Sequence, residues 1–244
     1  ANLKYWENLI KTVDNLKGQI EISLVGKYVE LHDAYISVVE ALKSAGYKYS
    51  KKININWIDS EDLEKENVNL KEIFKNTNGI LVPGGFGTRG ISGKIKAINY
   101  ARVNKIPFLG ICLGMQLAVI EFARNVAGIK DASSTEFDEM CKNPVIDLMA
   151  DQKSIINMGG TLRLGNYECS LKEKTLAHKV YKEDKILERH RHRYEFNNEY
   201  KELLEQKGLV FSGINEASNL VEIVEIPTHP HFIASQFHPE FKSR

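Results

Sequence analysis

"PFLGICLGMQLAVIEF", from Pro107 to Phe122, sets a cysteine between two glycines where an apolar strand gives way to an apolar helix. A buried cysteine usually serves as a small hydrophobe. Cys112 has neighbours of another kind. In Gly110-Ile111-Cys112-Leu113-Gly114, small flanking residues permit a tight, strained strand-to-helix turn that lifts one side chain out of the sheet. A helix opening near Gly114 aims its N-terminal N–H groups at the thiol and favours thiolate, the nucleophilic form.

Working outward, the stretches Gln19 to Gly26, Lys52 to Ile58, Gly79 to Gly85 and Pro107 to Ile111 are short, apolar and rich in β-branched residues, the pattern of strands. Helical spacing separates them, over Asp33 to Ala45, Leu70 to Asn76, Gly93 to Asn104 and Gly114 to Ala127. Strand and helix alternating at this interval predict an α/β fold of three layers, αβα, with a mostly parallel central sheet and ligands at the carboxyl ends of its strands. The later stretches Thr161 to Leu171, Leu209 to Asn215, Leu220 to Ile226 and His231 to Phe237 predict antiparallel additions, because short loops join them, with one helix at Glu199 to Gln206. Before all of these, Leu3, Trp6, Leu9, Ile10, Val13 and Leu16 repeat at helical spacing up to Gly18.

The chain has 244 residues, of which 43% are hydrophobic, enough for one large domain with a substantial core. Its formal net charge of +1 gives no reason to expect nucleic acid or a membrane surface as partner, so a small molecule is the expected one. Cys112, Cys141 and Cys169 form neither a metal-type spacing nor a closed disulfide framework, which points to a reducing, cytoplasmic setting. No apolar run of about 18 residues appears.

A cysteine nucleophile needs a base. "SQFHPEF" puts His238 and Glu240 just after an apolar strand, 126 residues beyond Cys112. Pro239 disfavours helix at His238 and predicts an extended segment, in which positions 238 and 240 project to the same side. Glu240 then orients the His238 imidazole, giving a Cys-His-Glu triad. Acyl chemistry also needs oxyanion donors, and the N–H groups of Gly85, in "LVPGGFGTRG", and of Leu113 are the candidates. "ERHRHRYEF", Glu188 to Phe196, reads either as an anion site or as a solvated charged strand. His190 and His192 have no third ligand at familiar metal spacing, so no metal is expected.

Elbow cysteine, Gly-Gly loop and distant His-x-Glu together resemble the class I glutamine amidotransferases. "VGKYVELHDAYISVVEAL", "PGGFGTRG", "GICLGMQLAVIEFARN", "SSTEFD", "GGTLRLG", "ERHRHRYEFN" and "HPEF" narrow the resemblance to the glutaminase domains of the CTP synthase family, from about Gln19 onward. The resemblance implies that Cys112 attacks the side-chain amide of L-glutamine, giving a glutamyl thioester and ammonia, and that His238 carries the protons. It implies Phe86, Gln116 and Glu136 as glutamine contacts, Arg193 near the substrate carboxylate, and Arg163 in a lid where GTP, an allosteric activator, exerts its effect. A zwitterionic amino acid does need an acceptor for its ammonium and donors for its carboxylate.

In such a protein the ammonia passes to a synthase (amidoligase) domain of the same polypeptide, where ATP and magnesium activate UTP for conversion to CTP, and the whole enzyme is a homotetramer. None of these cofactors is expected in the present chain, which has no room for that domain. Residues 1–18 are therefore read as a linker helix from a preceding synthase domain, and 19–244 as the amidotransferase domain. Two other readings stay open here: a glutaminase of another synthetase or a γ-glutamyl hydrolase, and a catalytically silent regulatory or assembly module.

Overall fold

A computed structural model describes residues 3–148 and 162–243. Its first half alternates strand and helix: α1 (Leu3–Asp14), β1 (Gln19–Gly26), α2 (Ile36–Lys48), β2 (Lys52–Asp59), α3 (Leu70–Ile73), β3 (Gly79–Val82), α4 (Ile91–Asn104), β4 (Phe108–Ile111) and α5 (Leu113–Asn125). The second half comprises β5 (Ala132–Ser134), β6 (Asn143–Leu148), β7 (Arg163–Leu171), α6 (Leu176–Tyr181), β8 (Lys185–His192), β9 (Tyr194–Phe196), α7 (Lys201–Gln206), β10 (Val210–Asn215), β11 (Leu220–Glu225) and β12 (Phe232–Ser235).

The main sheet runs β2-β1-β3-β4-β12-β11-β10-β7-β8. β2, β1, β3, β4 and β12 are parallel, and the other four extend the sheet by antiparallel pairing. Short loops and high β-propensity announce most of this extension. A second sheet, β5-β6-β9, has strands too short to show a period and was not foreseen.

Two apolar layers cover the parallel half. On one face α4 and α5 bury Ile98, Ala101, Leu117 and Ile120 against Val82, Phe108 and Phe232. On the other, Tyr35 and Val38 pack on Leu24, Leu81 and Ile111. Every residue of α5 from Leu113 to Ala123 is buried, so the helix has no solvent stripe, and its apolar sequence follows from that. Glu121, wholly buried within it, is held by a two-point contact from Arg102 at 2.8 Å and by the Asn99 and Asn125 amides.

The apolar stripe of α1 is mostly exposed: Leu3, Trp6 and Ile10 are each more than half accessible. Among the described residues no helix is long and apolar enough to cross a membrane, and no group of three or more His, Cys, Asp or Glu side chains could hold a metal ion.

Parallel pairing of β4 with β12 positions the chemistry. Ser235 pairs with Ile111, so the two strands end side by side, one leading into Cys112 and the other, three residues on, into His238.

Candidate active site

Cys112 stands at φ 53°, ψ −105°, a conformation that a side chain with a Cβ seldom adopts. The flanking glycines make it possible. A Cβ on Gly114 would lie 2.1 Å from the Val82 carbonyl oxygen, and one on Gly110 would lie 2.8 Å from the Gly114 backbone. Helix and strand therefore approach as closely as bare backbone allows, and the thiol is held at the top of the sheet.

The expectation of a resting thiolate does not survive burial. Desolvation pushes the Cys112 thiol up to about 12, with Glu240, Glu136 and Glu195 adding in the same direction. The Leu113 N–H opposes this but is outweighed. A helix N-terminus lowers a thiol pKa effectively where the thiol is also solvated or has a cationic partner, and Cys112 is only 3% exposed.

His238 and Glu240 meet differently from the extended-chain expectation. Pro239–Phe241 form a 3₁₀ turn, favoured by proline at its first position. The turn folds the carboxylate back, and His238 Nδ1 lies 2.8 Å from Glu240 Oε1. A carboxylate only accepts, so Nδ1 carries the proton and Nε2 presents its lone pair. Nε2 is buried without a hydrogen-bond partner among the described residues. A Cβ on Gly84 would sit 3.6 Å from that Nε2, 2.8 Å from Cε1 and 3.4 Å from Cys112 Cβ, so thiol and imidazole share one glycine-floored corner. The His238 N–H donates to the Arg189 carbonyl at 2.8 Å, and the thiol approaches the Arg191 carbonyl at 3.9 Å. Strand β8 thus braces both.

A cavity of about 170 Å³ opens over this corner, lined by Tyr35, Gly84, Gly85, Phe86, Cys112, Arg191, His238 and Glu240 among others. Gly85 and Phe86 lie on its wall, and Leu113 borders Gly85, whose Cβ would be 3.4 Å from Leu113 Cδ2. Glu136 accepts the Gly87 N–H at 2.7 Å; burial raises its carboxyl pKa, while Lys27 and Arg193 pull it down. Gln116 does not line the cavity: it is buried on α5, its amide nitrogen donating to Tyr194 O at 3.0 Å and Gln236 Oε1 at 3.2 Å.

Arg163, expected in a lid, is the first residue of β7. It is 7% exposed, ion-paired with Glu222 at 2.6 Å and with Glu195 at 3.6 Å. The Gly159–Thr161 part of that expected lid lies outside the described residues. "ERHRHRYEF" is neither wholly solvated nor wholly a site. On β8, Glu188, His190 and His192 face the core, while Arg189 and Arg191 face outward. Lys27 and Arg191 were not singled out from sequence. Lys27 follows a strand end and donates to the Phe86 carbonyl, and its position after "SLVG" was the available signal.

A family model described as Glutamine amidotransferase class-I matches residues 30–244. The chain is 59% identical over 244 residues to a CTP synthase of Caldanaerobacter subterraneus subsp. tengcongensis, covering 100% of this chain and 45% of that protein. It is 55% identical over 244 residues to a CTP synthase of Bacillus subtilis, again across 100% of this chain and 45% of the relative. It therefore spans about half the length of the curated relatives it matches. Among solved structures, the glutaminase domain of Trypanosoma brucei CTPS with bound acivicin superposes with a TM-score of 0.85 at 38% identity, over 91% of this chain and 87% of that one. A glutamine amidotransferase from Thermotoga maritima shares the fold at a TM-score of 0.54 and 14% identity, over 91% of this chain and 76% of that one.

Proposed function

Because the chain belongs to the class-I glutamine amidotransferase family, we propose that Cys112, His238 and Glu240 hydrolyse L-glutamine and that the ammonia serves a CTP synthase reaction. The observation that carries this reading is the buried corner in which the Cys112 thiol, the His238 Nε2 that lacks a partner among the described residues, and the Glu240 contact converge on one cavity.

Since the resting group is a thiol, His238 takes its proton as attack proceeds rather than finding a preformed thiolate. The Sγ–C bond forms at the side-chain amide carbon of glutamine, and the N–H groups of Gly85 and Leu113 receive the negative oxygen. The tetrahedral adduct then expels its nitrogen, which takes the proton from the His238 imidazolium and leaves as ammonia. Glu240 stabilises that imidazolium and fixes the ring orientation. Water, deprotonated by His238, attacks the thioester. The carbon–sulfur bond breaks, glutamate departs and the proton returns to sulfur. Phe86, Gln116, Glu136 and Arg193 hold the amino acid, with Arg193 toward its carboxylate and Glu136 toward its ammonium.

In this reading α1 links the domain to a synthase domain, where ATP, magnesium and UTP react, with GTP promoting the glutaminase step. Mass spectrometry after incubation with the glutamine-analogue electrophile diazo-oxo-norleucine tests the glutaminase site. The expected result is one adduct on Cys112, blocked by glutamine and absent in His238→Ala. A folded sample that takes no adduct, or takes it elsewhere, overturns the assignment.

A further inference from the structure

Beneath the active-site strand lies a cluster of ionisable groups that the chemistry above does not use. Glu188, His190 and His192 project from β8 into the core, where His190 faces Glu222 of β11, His192 faces Glu195 of β9, and Arg163 of β7 pairs with both of those glutamates. All are at most 7% exposed.

The proton on His192 is placed by its neighbour. His192 Nδ1 lies 3.2 Å from the Tyr194 carbonyl oxygen, which can only accept, so Nδ1 carries hydrogen. Burial and the Arg163 charge depress the His192 pKa to about 3, so the ring is neutral and its Nε2 is bare. His190 Nδ1 lies 2.8 Å from that Nε2 and 3.4 Å from Arg163 Nη1, which can only donate. Burial keeps His190 neutral, and its Nε2, 3.6 Å from Glu222 Oε2, has no hydrogen-bond partner among the described residues. Arg163 pairs with Glu222 at 2.6 Å, and desolvation raises both that carboxyl, to about 7, and the Glu195 carboxyl. The contacts form a chain from Glu222 through His190 and His192 to the Tyr194 carbonyl.

The chain ends at a turn of consequence. Tyr194 O also accepts the Gln116 amide, and Glu195 contacts Arg163 at 3.6 Å and His192 Nδ1 at 3.4 Å. Arg193 is the residue between these anchors, half-buried and close enough to Glu136 to act on its charge. We propose that His192, held as its Nδ1–H tautomer, is a positioning residue that with Glu195 fixes the turn carrying Arg193 and so sets the affinity for the substrate carboxylate. The affinity part rests on the function proposed above; the tautomer does not.

The first test needs no activity. Side-chain ¹⁵N–¹H correlation spectra of the purified protein at neutral pH should show His192 neutral and protonated on Nδ1. An Nε2–H or doubly protonated His192 overturns the proposal. The second test is steady-state kinetics. His192→Phe keeps the ring volume and deletes the donor, and should raise KM for glutamine at least about tenfold while kcat changes less than about threefold. His192→Asn restores a donor toward Tyr194 O and should recover most of that loss. An unchanged KM, or a loss confined to kcat, overturns the proposal. If His192→Phe does not fold, the tautomer result decides. Wild-type protein without glutamine turnover would instead sink the functional reading and leave the tautomer result standing.

Discussion

The main-chain N–H of Cys112 donates to the carbonyl of Ser235 at 2.7 Å, one rung beyond the last paired residues of β4 and β12. That bond ties the elbow to the strand leading to His238. Two segments more than a hundred residues apart thus share one sheet edge.

Burial of the thiol dictates its pH behaviour. With the Cys112 pKa raised above the ordinary thiol value to about 12, the thiolate fraction is small at neutral pH and grows throughout the range below that value. Alkylation of Cys112 by the neutral reagent iodoacetamide, followed by mass spectrometry, should therefore accelerate continuously from pH 6 to 10. A plateau beginning below pH 8 would show a preformed thiolate.

The two partners of the thiol should not weigh equally. His238→Ala removes the proton carrier and should reduce kcat for glutamine at least about a thousandfold, whereas Glu240→Gln keeps a ring contact and should cost about ten- to a hundredfold. Ammonia release measured on both variants checks this. An equal or larger loss in Glu240→Gln would contradict the division of labour.

Glycines near the site separate activity from stability. Gly84→Ala places a methyl 2.8 Å from His238 Cε1, a side-chain atom that can shift, so kcat should fall about a hundredfold with little change in melting temperature. Gly114→Ala places one 2.1 Å from a backbone oxygen that cannot, and should destabilise by about 3 kcal/mol or more, or prevent folding. Paired melting curves and activity measurements distinguish the two classes.

Remote from the cavity, Glu121→Ala deletes the anion held by Arg102, Asn99 and Asn125 on the buried helix α5. Breaking such a pair leaves the partly exposed Arg102 guanidinium without its anion and should cost about 3–5 kcal/mol in urea unfolding. A cost below about 1 kcal/mol would mean that water replaces the carboxylate.

Much of this was legible along the chain because the signals are local. The apolar runs of β1, β3, β4 and β12 and the glycines around Cys112 announce themselves within a few residues. Where neighbours in space decide, the reading was incomplete. Pro239 predicts an extended His238–Glu240 segment, yet the same proline starts a tight turn that brings the carboxylate to the ring. "ERHRHR" has no apolar alternation, so its inward face was hidden; only the pairing of β8 with β7 shows that alternate residues enter a polar core. Lys27 and Arg191 lie within "VGKYVELHDAYISVVEAL" and "ERHRHRYEF", but only the pairing of distant strands brings them to the site.

By itself the sequence determined the αβα alternation, the elbow and the residue types available for acyl chemistry, because backbone sterics and hydrophobic period act over a few residues. Tertiary structure decided the protonation of those residues. The helix that was expected to ionise Cys112 also buries it, and loss of solvent outweighs the N-terminal N–H groups. Likewise, the Tyr194 carbonyl, supplied by another strand, chooses which nitrogen of His192 holds a proton. Dielectric environment and hydrogen-bond partners are properties of the packed molecule, and no local stretch of chain encodes them.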